Sequence, residues 1–150
     1  MSERYEGSCR CGAVRFAATG SPLVTMACHC RGCQQMTGGA FSLSSLYPWD
    51  KVEVLEGQTV RGGLGTGPDH QHCAKCHSWL WTTPDGLEGY ANVRSSQFDD
   101  AAAHRPFIEV HLSEALPGAT GVAQKAFDGV PDAETFPKLF AAYAEWDERA

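Results

Sequence analysis

Cys28-His29-Cys30-Arg31-Gly32-Cys33 sets three thiols within six residues, and the chain adds two further pairs, Cys9-Arg10-Cys11 and Cys73-Ala74-Lys75-Cys76. These seven are all the cysteines present. In an extended segment, side chains at i and i+2 project to one face, so Cys9/Cys11 and Cys28/Cys30 are aimed together while Arg10 and His29 point away. Gly32 suits the tight turn that brings Cys33 round to the same side. Cys73 and Cys76 make a knuckle whose amides can face its sulfurs. Such groupings match a tetrahedral ion: four thiolates close a site, and three leave one position for a reactant. All-thiolate ligation suits zinc, and an iron–sulfur cluster would normally want four thiolates, which an odd cluster does not supply.

Spacing alone leaves two partitions of the cysteines. One joins Cys30/Cys33 with Cys73/Cys76 as a ribbon and strands Cys9, Cys11 and Cys28. The other keeps Cys28, Cys30 and Cys33 together and pairs Cys9/Cys11 with Cys73/Cys76. Loop closure favours the local trio, because its ligands lie a handful of residues apart.

Length and composition bound the rest. A chain of 150 residues reads as one domain, 1–150, able to bury a real core. Gly 16 and Pro 8 point to turns and short strands. A net charge of −6 gives no electrostatic reason to bind nucleic acid or an anionic membrane. The polar opening from Met1 to Ser8 is not a secretory signal, and no apolar run approaches the roughly 18 residues of a membrane span. Clustered cysteines without an export signal favour metal ligation in a reducing compartment, so the expected location is cytoplasmic; redox disulfides are the rival reading.

Between turn signals at Gly62-Gly63, Gly67-Pro68-Asp69 and Pro84-Asp85-Gly86 run short segments rich in β-branched and aromatic residues. The predicted strands are Ala13–Ala17, Leu23–Cys28, Phe41–Tyr47, Lys51–Leu55, Trp79–Thr82, Leu87–Val93 and Phe107–Leu112. Alternation in Val52-Glu53-Val54 and in Phe107 to Leu112 predicts half-buried strands. From Glu134, apolar residues at Phe136, Leu139, Phe140, Tyr143 and Trp146 step by three and four, which predicts one C-terminal helix lying on the sheet, with Pro137 tolerated in its first turn. A short helical turn ended by Gly38 is expected after Cys33. The fold class is mostly β.

Gly7-Ser8-Cys9-Arg10-Cys11-Gly12-Ala13-Val14, the run from Cys28 to Cys33, Thr37-Gly38-Gly39-Ala40-Phe41, the Cys73/Cys76 knuckle and Phe98-Asp99-Asp100 together resemble the glutathione-dependent formaldehyde-activating enzyme family, over about residues 7–112. The resemblance implies a zinc-stapled β-tent domain. It implies a structural zinc on Cys9, Cys11, Cys73 and Cys76, and a catalytic zinc on Cys28, Cys30 and Cys33. It also implies a carbon–sulfur lyase that forms or cleaves S-hydroxymethylglutathione, with glutathione or a similar small thiol as partner. Two departures stand out: His77 occupies the position after the knuckle where glycine is common, and the segment from about Ser113 is unlike the family.

Of the remaining polar residues, His29 is a candidate proton donor or fourth ligand, and His72 and His77 flank the knuckle without being needed by it. Nothing singles out His70, His104 or His111. Arg10 and Arg31 are candidates for neutralising the thiolates, and Gln34, Thr37 and Gly38-Gly39 for meeting a peptide-like ligand. The competing functions are a non-catalytic zinc-stapled β module that binds a thiol, peptide or protein, and a redox sensor that loses zinc on oxidation.

Overall fold

Strand and turn chemistry dominate the computed structural model, which describes residues 3–146; the ends of the expected 1–150 domain, Met1, Ser2 and 147–150, lie outside the described residues. The strands are β1 (Arg4–Ser8), β2 (Arg15–Thr19), β3 (Val24–Cys28), β4 (Ser42–Pro48), β5 (Val52–Glu56), β6 (Thr59–Arg61), β7 (Asp69–Cys73), β8 (Trp79–Thr83), β9 (Tyr90–Arg94), β10 (Ile108–Val110) and β11 (Lys125–Ala126). Helix α1 (Arg31–Thr37) links β3 to β4, and α2 (Thr135–Ala144) comes last. The mostly β class and the C-terminal helix agree with expectation.

Strands β1, β2 and β5 form a small antiparallel sheet. The other eight form an open sheet in the order β11-β10-β3-β4-β9-β8-β7-β6, antiparallel except where β10 runs parallel to β3 and β11. Successive strand residues face opposite ways, and β4 uses both faces. Tyr47 joins the core shared with the small sheet, among Val14, Phe16, Leu80, Trp81 and Val93. Its neighbour Leu46 joins a second core with Val24, Ile108, Leu139 and Tyr143. The large sheet is thus covered by the small sheet on one face and by α2 on the other. Phe16, fully buried, meets Trp81 and Phe98 edge-on; burying such a ring contributes roughly 1.5–3 kcal/mol.

The aromatic stripe of α2 behaves as core, with Tyr143 and Trp146 packed on Phe107. Its first turn is held by Asp132, whose carboxylate accepts from the Thr135 amide and hydroxyl. Two expectations need correction. The segment Phe107–Leu112 is not a half-buried strand: Ile108, Glu109 and Val110 are all buried, and the strand stops where His111 turns left-handed (φ 57). Nor does Val52-Glu53-Val54 alternate: Val52 is half-buried, but Glu53 and Val54 are both exposed. The polar opening adds a strand that periodicity did not mark, β1, whose inward side chains are few because Gly7 must admit the Phe16 ring beneath it.

Candidate functional site

The first cysteine pair sits in a turn between β1 and β2, not in the extended segment its spacing suggested. The Cys9 amide donates to the Val14 carbonyl (3.1 Å) and the Gly12 amide to the Cys9 carbonyl (3.0 Å), with Gly12 left-handed at φ 78. The turn still aims both sulfurs together, 3.5 Å apart. The knuckle lies in the hairpin between β7 and β8, where the His77 amide donates to the Cys73 carbonyl (2.9 Å). His77 takes φ 62, the conformation for which glycine is usual, so the knuckle tolerates histidine there at a strain cost. Amides of Lys75 and Cys76 point at the Cys73 sulfur (3.3 and 3.4 Å), and that of Val14 at the Cys9 sulfur (3.3 Å).

These turns bring Cys9, Cys11, Cys73 and Cys76 together with all four sulfurs within 4.8 Å of one another. A tetrahedral ion with metal–sulfur bonds of about 2.3 Å spaces its sulfurs roughly 3.8 Å apart. The Cys11–Cys73 separation is 3.9 Å. Their protonation is uneven. The Ser78 hydroxyl and amide hold Cys76 down to about 5, and the Val14 amide draws Cys9 below its usual value against the raising effect of burial. Cys11 goes up to about 11, since desolvation and the adjacent sulfurs outweigh the Ala13 amide. Cys9 and Cys76 are thus drawn toward thiolate while Cys11 is not, and the cluster could hold a metal ion.

Cys28 closes β3, and Cys30 caps α1, its sulfur accepting from the Cys33 amide (3.3 Å). Their sulfurs and that of Cys33 again lie within 4.8 Å, and among the described residues no fourth histidine, cysteine or carboxylate joins them. Cys33 is held down to about 5, first by hydrogen bonding with Cys28, then by Ser42 and Cys30, with a contribution from the positive charge of Arg94. Cys28 is pushed far up by its hydrogen bond with Cys33, and Cys30 is raised by burial. The trio, too, could hold a metal ion.

Neighbouring elements brace this loop. His29 is fully buried and outside the sulfur group, its Nε2 hydrogen-bonded to a carboxylate oxygen of buried Glu109 at 2.9 Å. Glu109 also accepts from the Gly121 amide (3.1 Å). His29 is thus a link to β10 and does not approach the trio as a ligand. The Gln34 amide nitrogen donates to the His29 and Glu114 carbonyls (2.7 and 2.9 Å), which commits it to structure. The segment expected to be a turn after Cys33 is a helix that begins at Arg31, because the Cys30 cap starts it earlier.

Beside α1 lies a cavity of about 390 Å³, its wall including Thr37, Ser42, His77, Trp79 and Arg94. Cys33 and Thr37 stand at i and i+4 on one face of α1, so the wall continues from the trio. Arg94 ends β9 and is only 7% exposed. Its Cζ lies 4.0 Å from the centroid of the Trp79 ring, and one Nη2 hydrogen bond goes to the Asn92 carbonyl (3.2 Å). Burial lowers its guanidinium to about 10, opposed by Cys33, Cys28 and Cys30, so it stays charged at neutral pH.

Of the expected neutralisers, Arg31 turns its guanidinium to the Gln34 side-chain oxygen (3.3 Å) and its amide to Glu114, and the Arg10 amide donates to the Ser78 hydroxyl beside the four-sulfur group. Arg94, which sequence reasoning missed, is a buried cation whose charge acts on the trio. The one signal for it was an arginine placed directly after the apolar run Leu87–Val93. His72 stacks on Trp79 and His104 on Phe98, both outside the cysteine groups.

The fold and the two thiol groups define an open β protein with one four-sulfur and one three-sulfur group, each of which could hold a metal ion. The profile of the family described as "Glutathione-dependent formaldehyde-activating enzyme" matches residues 4–114, and the chain belongs to that family. A Halomonas elongata protein named "Putative glutathione-dependent formaldehyde-activating enzyme" is 30% identical, covering 96% of this chain and 94% of its own. A crystal structure of a Rhodobacter sphaeroides protein resembles the fold with a TM-score of 0.50 at 17% identity, over 63% of this chain and 88% of that one. No helix among the described residues is long and apolar enough to cross a membrane.

Proposed function

We propose that the protein is a zinc-dependent carbon–sulfur lyase acting on glutathione-type thiol adducts, with S-hydroxymethylglutathione as the product of joining glutathione to formaldehyde. The thiol sulfur bonds to the aldehyde carbon, the thiol proton passes to the oxygen, and the reverse reaction breaks that carbon–sulfur bond. The observation that carries the reading is the trio: three sulfurs within 4.8 Å and no fourth protein donor beside them among the described residues.

In this reading Cys28, Cys30 and Cys33 hold the catalytic zinc, and Cys9, Cys11, Cys73 and Cys76 hold a structural one. Zinc held by three thiolates would supply a position that favours the thiolate form of an incoming thiol. The protein's own groups prepare that position. Gln34 and the His29–Glu109 hydrogen bond fix the loop that carries the sulfurs. Buried Arg94 keeps positive charge beside a centre that becomes more negative as a thiolate arrives. The chemistry requires reduced thiols and so belongs in a reducing compartment such as the cytoplasm.

X-ray absorption at the metal edge of zinc-loaded protein, titrated with glutathione, tests the proposal. The expected result is a gain of one sulfur at one of the two metals. An unchanged sulfur count refutes it.

A further inference from the structure

Arg94 presents a group the cysteine chemistry does not account for. Guanidinium groups are almost never buried without a partner, yet among the described residues Arg94 forms no ion pair, and its buried Nε has no hydrogen-bond partner. Of the five N–H donors an arginine carries, the bond to the Asn92 carbonyl uses one. The sulfurs of the trio lend it charge compensation without a hydrogen bond. The Trp79 ring backs the guanidinium, its centroid 4.0 Å from Cζ, and a planar guanidinium fork matches a planar two-oxygen acceptor.

The cavity that Arg94 lines has the matching character. No aspartate or glutamate is among its wall residues, although the chain as a whole is acidic at −6. Its polar groups include the Thr37 and Ser78 hydroxyls, the Gln97 amide and His77. At about 390 Å³ it falls in the size class of small-molecule sites, roughly 300–1,000 Å³. It runs from the Cys33 face of α1 to the knuckle, so a molecule whose sulfur reaches the trio extends its tail along this wall.

We propose that this cavity seats the acidic tail of the thiol substrate and that Arg94, through its free N–H donors, binds a carboxylate there, making the site selective for carboxylate-bearing thiols. The inference rests on the trio being a thiol-binding centre and adds the determinant of which thiols it accepts.

Calorimetric titration of zinc-loaded protein with glutathione and with glutathione diethyl ester, which keeps the thiol and masks both carboxylates, tests it. Wild type is expected to bind glutathione about 10- to 100-fold more tightly than the ester, the range of a charge-assisted hydrogen bond to a buried partner. Arg94→Met should weaken glutathione binding more than ester binding and so abolish that preference, and Arg94→Lys, which keeps the charge but not the fork, should retain part of it. Equal affinity of wild type for the two thiols overturns the inference without any variant, even if Arg94→Met fails to fold. Equal weakening of both thiols by Arg94→Met also overturns it, because Arg94 would then serve the sulfurs alone. Binding of neither thiol by wild type removes the proposed function and this inference together; binding without preference removes only the inference.

Discussion

Replacing one sulfur in each group should have very different consequences, and the chain's connectivity sets the difference. The four-sulfur group ties the turn after β1 to the knuckle after β7, with Cys11 and Cys73 separated by 62 residues. Treated as a cross-link, closing a loop of that length removes unfolded-state entropy worth about 4 kcal/mol. The trio spans only Cys28 to Cys33, for which the same relation gives about 2 kcal/mol. Cys9→Ser is therefore expected to lower the stability of metal-replete protein by about 4 kcal/mol, a fall in Tm of roughly 8–16 °C for a domain of this size. Cys30→Ser should cost less than about 2 kcal/mol, since serine is itself a preferred helix cap and can accept from the Cys33 amide as the sulfur does. Urea unfolding followed by far-UV circular dichroism measures the stability, and elemental analysis counts the metal. The reasoning predicts a folded Cys30→Ser protein with one ion fewer than wild type. If Cys30→Ser proves the more destabilised variant, the long-range group is not the staple and the argument fails.

Two further expectations follow from the cores. A methyl group at Gly7 would fall on the Gln97 carbonyl and within 2.5 Å of the Phe16 ring, both fixed in place. Gly7→Ala should therefore cost about 1–3 kcal/mol in thermal unfolding with metal content unchanged, and an unaltered Tm would refute the tight fit. His104 lies between the Phe98 ring and the Tyr47 hydroxyl, and burial lowers its pKa below 6.5. Below 6.5 the unfolded chain then binds the proton that the folded one resists, so this contribution to stability is complete above 6.5 and lost as the pH falls through that value. His104→Phe keeps the stacked ring and removes the titration, so its Tm should decline less between pH 6.5 and about 5 than that of wild type at equal metal loading. Parallel declines would exclude His104 as the titrating group.

Much of this was legible from the cysteines and the apolar runs. The seven predicted strands all overlap observed ones, six of them burying side chains and β5 held with only Val52 and Leu55 half-buried. The cysteine groups match the partition that loop closure favoured. Strand β7, Asp69-His70-Gln71-His72-Cys73, escaped notice because its pairing comes from polar side chains meeting β8: His70 with Thr82, and His72 stacked on Trp79. Glu109 read as the solvent side of an alternating strand, yet it is buried because β3, β11 and the Gly121 amide surround it. Arg94 was marked only by its place after an apolar run, and its burial was not legible for the same reason. Burial of a charged group depends on what distant segments place around it, and periodicity along one strand does not record that.

The parallel seam between β3 and β10 also bears on how the molecule comes into being. His29 and Glu109 meet across 80 residues, and chains rich in such distant pairings fold slowly. During synthesis the sulfurs of Cys28, Cys30 and Cys33 emerge well before the strand that will anchor their loop, so a nascent chain carries reactive thiols on an unsupported hinge. The three-sulfur loop gains its rigid backing only once β10 has paired with β3 and Glu109 has met His29.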